Sequence, residues 1–127
     1  MKRAIADTSV FIAREAGRPV RDLPEEIAVS VVTAAELELG VLRARNPAVR
    51  ATRLATLSRV RAECPLLPVD DATASCFARI AEEELRRGRK LRRHDTWIAA
   101  TALRHQAAVL TQDADFTSFS SIEVLRV

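Results

Sequence analysis

Asp7, Glu36, Asp95 and the pair Asp113 and Asp115 stand where strand-like apolar runs pass into helices or turns. Ala4-Ile5-Ala6 precedes Asp7, Ala28-Val29-Ser30-Val31-Val32 precedes Glu36, and Val109-Leu110-Thr111 precedes Asp113. If those runs are parallel strands, several acids leave one edge of the sheet and share a crevice, where open α/β sheets hold their ligands. Like charges gathered there repel one another, and a cation relieves them. A site built from oxygen donors alone suits a hard divalent ion, Mg2+ or Mn2+. A divalent metal centre is therefore the leading expectation.

Each acid also has a purely structural reading. Asp7 would N-cap the helix that follows it. Thr33-Ala34-Ala35-Glu36 fits a capping box in which Glu36 bonds back to the Thr33 amide. Asp95 sits at a helix start, and Asp113 and Asp115 lie in a turn, where aspartate bonds its own backbone. The set argues for more than its members do, because helix N-termini at one sheet edge offset part of the repulsion. Nucleophilic catalysis is a weaker reading. Ser9 has no obvious base, the histidines being His94 and His105, and no G-x-S-x-G elbow occurs. Gly17, Gly40 and Gly88 are too scattered to cradle a phosphate.

The elements that must position these acids are legible in outline. A strand is expected over residues 3–6, then a helix opened by Asp7-Thr8-Ser9 and closed by Gly17-Arg18-Pro19. A second strand over 28–32 leads to a helix starting at Thr33, and Asn46-Pro47 divides that helix from another reaching about residue 62. Residues 65–69 carry two prolines and read as an edge segment. Asp70 or Asp71 caps the next helix, which Gly88 ends, and Asp95 begins a further one. Strands over 107–111 and 122–127 complete the pattern. Alternating strands and helices predict a three-layer α/β sandwich, its mostly parallel sheet flanked by helices, in a single domain over residues 1–127.

Composition narrows the chemistry. A 48% hydrophobic share suits a packed globule, and only four Phe and one Trp occur, so the core is aliphatic and stacking on bases is disfavoured. Cys64 and Cys76 form no metal-binding pair and read as buried, reduced thiols of a cytoplasmic protein. No apolar stretch approaches the roughly 18 residues that a membrane span needs. Of twenty basic residues only Lys2 and Lys90 are lysine. Arginine suits bidentate phosphate contacts, although a compositional bias of the coding sequence explains the excess equally well. Arg86, Arg87, Arg89, Lys90, Arg92 and Arg93 crowd the approach to Asp95 as a candidate phosphate track. A solvated helix end accounts for Arg86 and Arg87 but not for the residues past Gly88.

Four segments together resemble the PIN-domain ribonucleases, and within them the VapC-type toxins of toxin–antitoxin pairs. They are Asp7-Thr8-Ser9-Val10-Phe11-Ile12, the stretch from Thr33 to Gly40 containing Glu36-Leu37, Asp95-Thr96-Trp97-Ile98-Ala99-Ala100-Thr101-Ala102, and Leu110-Thr111-Gln112-Asp113-Ala114-Asp115-Phe116. The resemblance covers nearly the whole chain. It implies a PIN-like fold and a Mg2+- or Mn2+-dependent endoribonuclease, often dimeric, inhibited by a VapB-type antitoxin. Carried over, Asp7, Glu36, Asp95 and Asp113 become catalytic ligands, with Asp115 acting through water or holding the turn. Ser9 and Thr111 become groups that bond an acid or a phosphate; the charge run beside Asp95, read on its own, offers Arg89, Lys90, Arg92 and Arg93 as substrate contacts. His94 departs from the small polar residue expected before Asp95, and is read as part of the loop. A catalytically weak PIN-like binding module is the alternative. Phosphatase and receiver readings lack their D-x-D-x-T motif and their late lysine.

Overall fold

The computed structural model describes residues 3–20 and 23–127. Its strands are β1 (Arg3–Ala6), β2 (Glu26–Ser30), β3 (Leu66–Leu67), β4 (Ala108–Thr111) and β5 (Val124–Arg126). Its helices are α1 (Thr8–Glu15), α2 (Val31–Leu42), α3 (Pro47–Glu63), α4 (Asp71–Arg86) and α5 (Arg93–Arg104), and a 3-10 helix spans Ala114–Ser118. Among the described residues every strand pairing is parallel, in the order β3-β2-β1-β4-β5. The chain builds outward from β1 through β2 to β3, then returns to lay β4 on the other side of β1. The order therefore reverses between β1 and β4, where Ala6 pairs with Leu110 and the Asp7 amide donates to the Leu110 carbonyl at 3.0 Å.

Strand alternation divides the core into two layers. Ala4, Ala6, Val29 and Leu110 face α1, α2 and α3 through Val10, Phe11, Leu37, Val41, Leu57 and Val60. Ile5 and Val109 face α4 and α5 through Ile80, Ile98, Ala99, Ala100 and Ala102, with Phe116 and Phe119 closing that layer. The fully buried alanines of α5 carry no long side chain, so this helix can lie close on the sheet. Rings fill the gaps that remain: Phe77 stacks on Trp97 at 4.0 Å between centroids, and Phe116 meets Phe119 at 5.8 Å.

Helix ends follow local chemistry. Asn46 caps α3 with Pro47 in its first turn, Asp70 caps α4, and Gly17 and Gly88 close their helices at φ of 72° and 75°. Several boundaries differ from the expected ones, the second strand starting at Glu26 and the edge strand shrinking to Leu66–Leu67. The second strand stops at Ser30, whose hydroxyl accepts the Val32 amide at 3.0 Å, so Val31 and Val32 open α2 instead of ending a strand. A continuous apolar run carries no periodicity to separate strand from helix, and here the cap decides. The expected Thr33–Glu36 capping box is accordingly absent, both residues lying inside the helix. Helix α5 begins at Arg93, placing Asp95 in its first turn, and the last strand begins at Val124. Both cysteines are free and half-buried, and among the described residues no helix is long and apolar enough to cross a membrane.

Candidate metal centre

Asp7 is the anchor of the site, 5% exposed between the ends of β1 and β4. Its Oδ1 accepts the Ser9 amide at 3.0 Å and the Ser9 hydroxyl at 2.5 Å, and its Oδ2 accepts the Thr111 hydroxyl at 2.8 Å. It is thus both the N-cap of α1 and a buried acid. The Ser9 and Thr111 oxygens in turn accept the Gln112 and Asp113 amides, each at 2.9 Å. Both hydroxyls thus bond an acid, one of the two partners expected of them. The two hydroxyls also tie Asp7 to the loop that carries Asp113.

The other acids approach from three further elements. Glu36 projects from the second turn of α2, Asp95 from the first turn of α5, and Asp113 caps the 3-10 helix by accepting the Asp115 amide at 2.9 Å. Burial pushes the Asp7 carboxyl upward from its ordinary range, against the hydrogen bonds of Ser9 and Thr111. Burial likewise raises Glu36, opposed first by His94, and raises Asp95, opposed by Arg92. Mutual repulsion adds to each: Asp113 acts on Asp7, Asp95 and Asp7 act on Glu36, and Asp113, Asp7 and Asp115 act on Asp95. The five carboxylates therefore share one electrostatic neighbourhood, with Asp115 exposed at its margin.

Two buried oxygens at this centre have no hydrogen-bond partner, Glu36 Oε1 and Thr8 Oγ1. The Thr8 hydroxyl is near enough to ease the charge on Glu36 without forming a bond of normal geometry. Buried polar atoms are nearly always satisfied, so such orphans next to clustered acids mark a place for a polar ligand. An all-oxygen donor set, unsatisfied oxygens and uncompensated repulsion all fit a hard divalent cation. In the conformation described, no three His, Cys, Asp or Glu side chains among the described residues close on one point at ligand distances. Asp95 Oδ2 lies 3.3 Å from Arg92 Nη1, and Glu36 Oε2 lies 3.8 Å from His94 Nδ1, an ion pair only when the imidazole is protonated. Side-chain rotation would be required to gather the ligands.

The basic run divides in two. Arg86 and Arg87 pair with Glu82 and Glu83 along α4 at 3.7 and 3.1 Å, while Arg89 bonds the buried Glu84 at 3.0 Å and the Ser118 carbonyl at 2.6 Å. Arg92 bonds Asp95 and Ser118. Lys90 and Arg93 are exposed and have no side-chain partner among the described residues. Arg92, Arg93, His94 and Asp95, with Leu91, line a concavity of about 380 Å³ open to solvent. Sequence reasoning did not single out Thr8, Glu84, Ser118 or Phe119. Only the unusual Asp7-Thr8-Ser9 run of short polar residues after a strand could have drawn attention to the first.

Residues 4–121 match the PIN domain. Ribonuclease VapC5 of Mycobacterium tuberculosis is 45% identical over 128 residues, covering 97% of this chain and 94% of that protein. Ribonuclease VapC4 of the same organism is 44% identical over 131 residues, covering 100% and 98%. The crystal structure of VapBC-5 from Mycobacterium tuberculosis, a member of the VapBC family of toxin–antitoxin systems, superposes with a TM-score of 0.87 at 43% identity, covering both chains fully. The chain thus belongs to the PIN-domain family, and within it to the VapC ribonucleases.

Proposed function

We propose that this chain is a metal-dependent endoribonuclease, the toxin of a VapBC-type toxin–antitoxin pair, forming one nuclease domain that hydrolyses RNA phosphodiester bonds in the cytoplasm. The observation that carries the reading is the convergence of acids from four elements at the reversal of strand order, around a buried Asp7. Its support from relatives is the ribonuclease name of proteins 45% and 44% identical to this chain.

Asp7, Glu36, Asp95 and Asp113 would hold Mg2+ or Mn2+, with Asp115 reaching it through water. When bound there, the ion supplies Lewis-acid activation and neutralises charge gathering on the scissile phosphate. The chain's own residues do the rest. Ser9 and Thr111 orient Asp7 and favour its ionised form against the rise that burial causes, because each donates to its carboxylate. Glu36, with one buried oxygen free, is the carboxylate suited to take a proton from the attacking water. Lys90 and Arg93 hold backbone phosphates beside the centre, since Arg89 and Arg92 are engaged within the protein. The open concavity admits a polymer rather than enclosing a small molecule. A VapB-type antitoxin as partner is suggested by the toxin–antitoxin system solved for the similar VapBC-5, and a homodimer by family resemblance.

The test is cleavage of RNA by purified protein with Mg2+ or Mn2+ and with a chelator, alongside Asp7→Asn and Asp95→Asn. Activity should require the metal and vanish in both variants while their circular dichroism stays native. Full activity in either variant would refute the assigned centre. Native folding with neither cleavage nor Mn2+ binding in the unmodified protein would favour a PIN-like binding module.

A further inference from the structure

Arg92 belongs to a run of cations that reads, in the sequence, as a grip on substrate, yet its side chain is turned into the protein. Nη1 lies 3.3 Å from Asp95 Oδ2, Nη2 donates to the Ser118 hydroxyl at 2.7 Å, and the guanidinium carbon sits 4.7 Å from the centroid of the Phe119 ring. Phe119 is 3% exposed, so the cation rests on the wall of the core. Three contacts from two elements fix it: the first turn of α5, the end of the 3-10 helix, and the ring that follows. Arg89 reinforces the same junction by donating to the Ser118 carbonyl while bonded to the buried Glu84. Ser121 and Ser120 then bond Glu83. The segment carrying Asp113 and Asp115 is thereby fastened to the connection between α4 and α5.

Asp95 is an acid that needs such a partner. It is half-buried, and Asp113, Asp7 and Asp115 all act on it. Arg92 is the cation opposing them. A hard divalent ion held by Asp95 would bring two further positive charges close to a guanidinium that now occupies Oδ2. Bringing Oδ2 toward the other acids takes it from Arg92, because the guanidinium now occupies that oxygen. The Ser118 and Phe119 contacts do not involve Asp95, so they can retain the guanidinium after it lets the carboxylate go. Cation–π contact over a buried ring favours that retention.

We propose that Arg92 is a positioning residue of the acid centre, a built-in counter-ion that holds Asp95 in the metal-free protein and that a divalent cation displaces from it. The inference rests on the metal-dependent reading above. On this account Arg92 preserves the fold of an otherwise self-repelling site and sets the metal concentration at which the ligands assemble. Lys90 and Arg93, exposed and without partners, have no such role.

Calorimetric titration of the full chain with Mn2+ tests it, comparing the unmodified protein with Arg92→Gln and Arg93→Gln at one ionic strength. Arg92→Gln should bind Mn2+ about tenfold more tightly, equivalent to about 1.4 kcal/mol, while melting at a lower temperature without metal. Arg93→Gln, which removes the same formal charge from the neighbouring position, should change affinity by less than about twofold. Equal or weaker binding by Arg92→Gln, or an equal gain in Arg93→Gln, would overturn the proposal. A second measurement needs no variant. The Arg92 Nε–Hε resonance of the unmodified protein should move on adding Mg2+ while that of Arg89 stays fixed, and an unmoved Arg92 signal would equally overturn it. If the unmodified protein binds no Mn2+, the metal reading itself fails and takes this inference with it, a result distinct from binding that ignores Arg92.

Discussion

Replacing Thr111 with valine removes one oxygen at nearly constant volume and breaks two bonds at once. The Thr111 hydroxyl is fully buried, donates to Asp7 Oδ2 at 2.8 Å and accepts the Asp113 amide at 2.9 Å. A hydrogen bond to a charged group contributes about 1.5–3 kcal/mol, and a buried amide left unpaired costs about 1–3 kcal/mol. Partial relaxation reduces the sum, so Thr111→Val should destabilise the metal-free protein by about 3 kcal/mol at pH 7.5. The cost must also depend on pH. The Asp7 carboxyl is raised in the fold, chiefly by burial, and the Thr111 bond opposes that rise. A group raised in this way contributes its full stability below its unfolded value, near 3.9, and loses it as pH climbs through the folded value. Valine pushes the folded value higher still and deepens the loss, whereas a protonated Asp7 misses the Thr111 donor far less. The penalty should therefore shrink toward about 1 kcal/mol at pH 4, the share of the orphaned amide. Urea unfolding followed by circular dichroism at both pH values, with a chelator present, measures it. A penalty below about 0.5 kcal/mol at pH 7.5, or one equal at both pH values, would refute the view that Thr111 holds a charged Asp7.

Glu36→Gln should raise the metal-free melting temperature at pH 7.5 and leave it unchanged at pH 4, because burial raises the Glu36 carboxyl and glutamine mimics its neutral form; calorimetric scans at the two pH values check this. Ser30→Ala should cost about 1 kcal/mol as the loss of a helix cap, whereas Thr33→Val should cost nothing, since the buried Thr33 hydroxyl has no hydrogen-bond partner; chemical denaturation of both variants distinguishes this arrangement from the capping box that the sequence suggests. Reversing charge at Lys90 and Arg93 together should weaken binding to single-stranded RNA and flatten the dependence of log K on log salt by about 1.4, the value for two lost phosphate contacts. That slope is read from filter binding across a salt series with a cleavage-inactive Asp95→Asn background.

The centre shows how a parallel sheet accommodates charges that a packed core would reject. At the reversal of strand order the backbones of β1 and β4 diverge into α1 and the 3-10 helix, and the amides freed there are satisfied by Asp7, Ser9, Thr111 and Asp113. The same acids that cap local structure are thereby held where they repel one another. The structural and functional readings of Asp7 and Asp113 are therefore not rivals. For Glu36 they were, and the displacement of the cap to Ser30 removes the capping reading and leaves Glu36 with an unsatisfied oxygen.

What the sequence determined by itself was most of what near neighbours set. Alternating apolar runs and helical spacing predict the three layers, Gly17 and Gly88 the helix ends, Asn46-Pro47 the break before α3, and the four short motifs the acids of the centre. Tertiary structure decided what depends on partners distant in the chain. Val31 and Val32, expected in a strand, are the exception: their cap, Ser30, is adjacent in the chain, but a continuous apolar run carries no period to reveal it. Thr111 meets Asp7 across 104 positions, and Arg89 and Arg92 meet Ser118 across 29 and 26. A run of arginines looks uniform in one dimension because charge is a property of each residue. Whether a cation faces solvent, a glutamate along its helix or an acid of the centre depends on which surfaces the fold brings to it, and so Lys90 and Arg93 part company with Arg92 only in three dimensions.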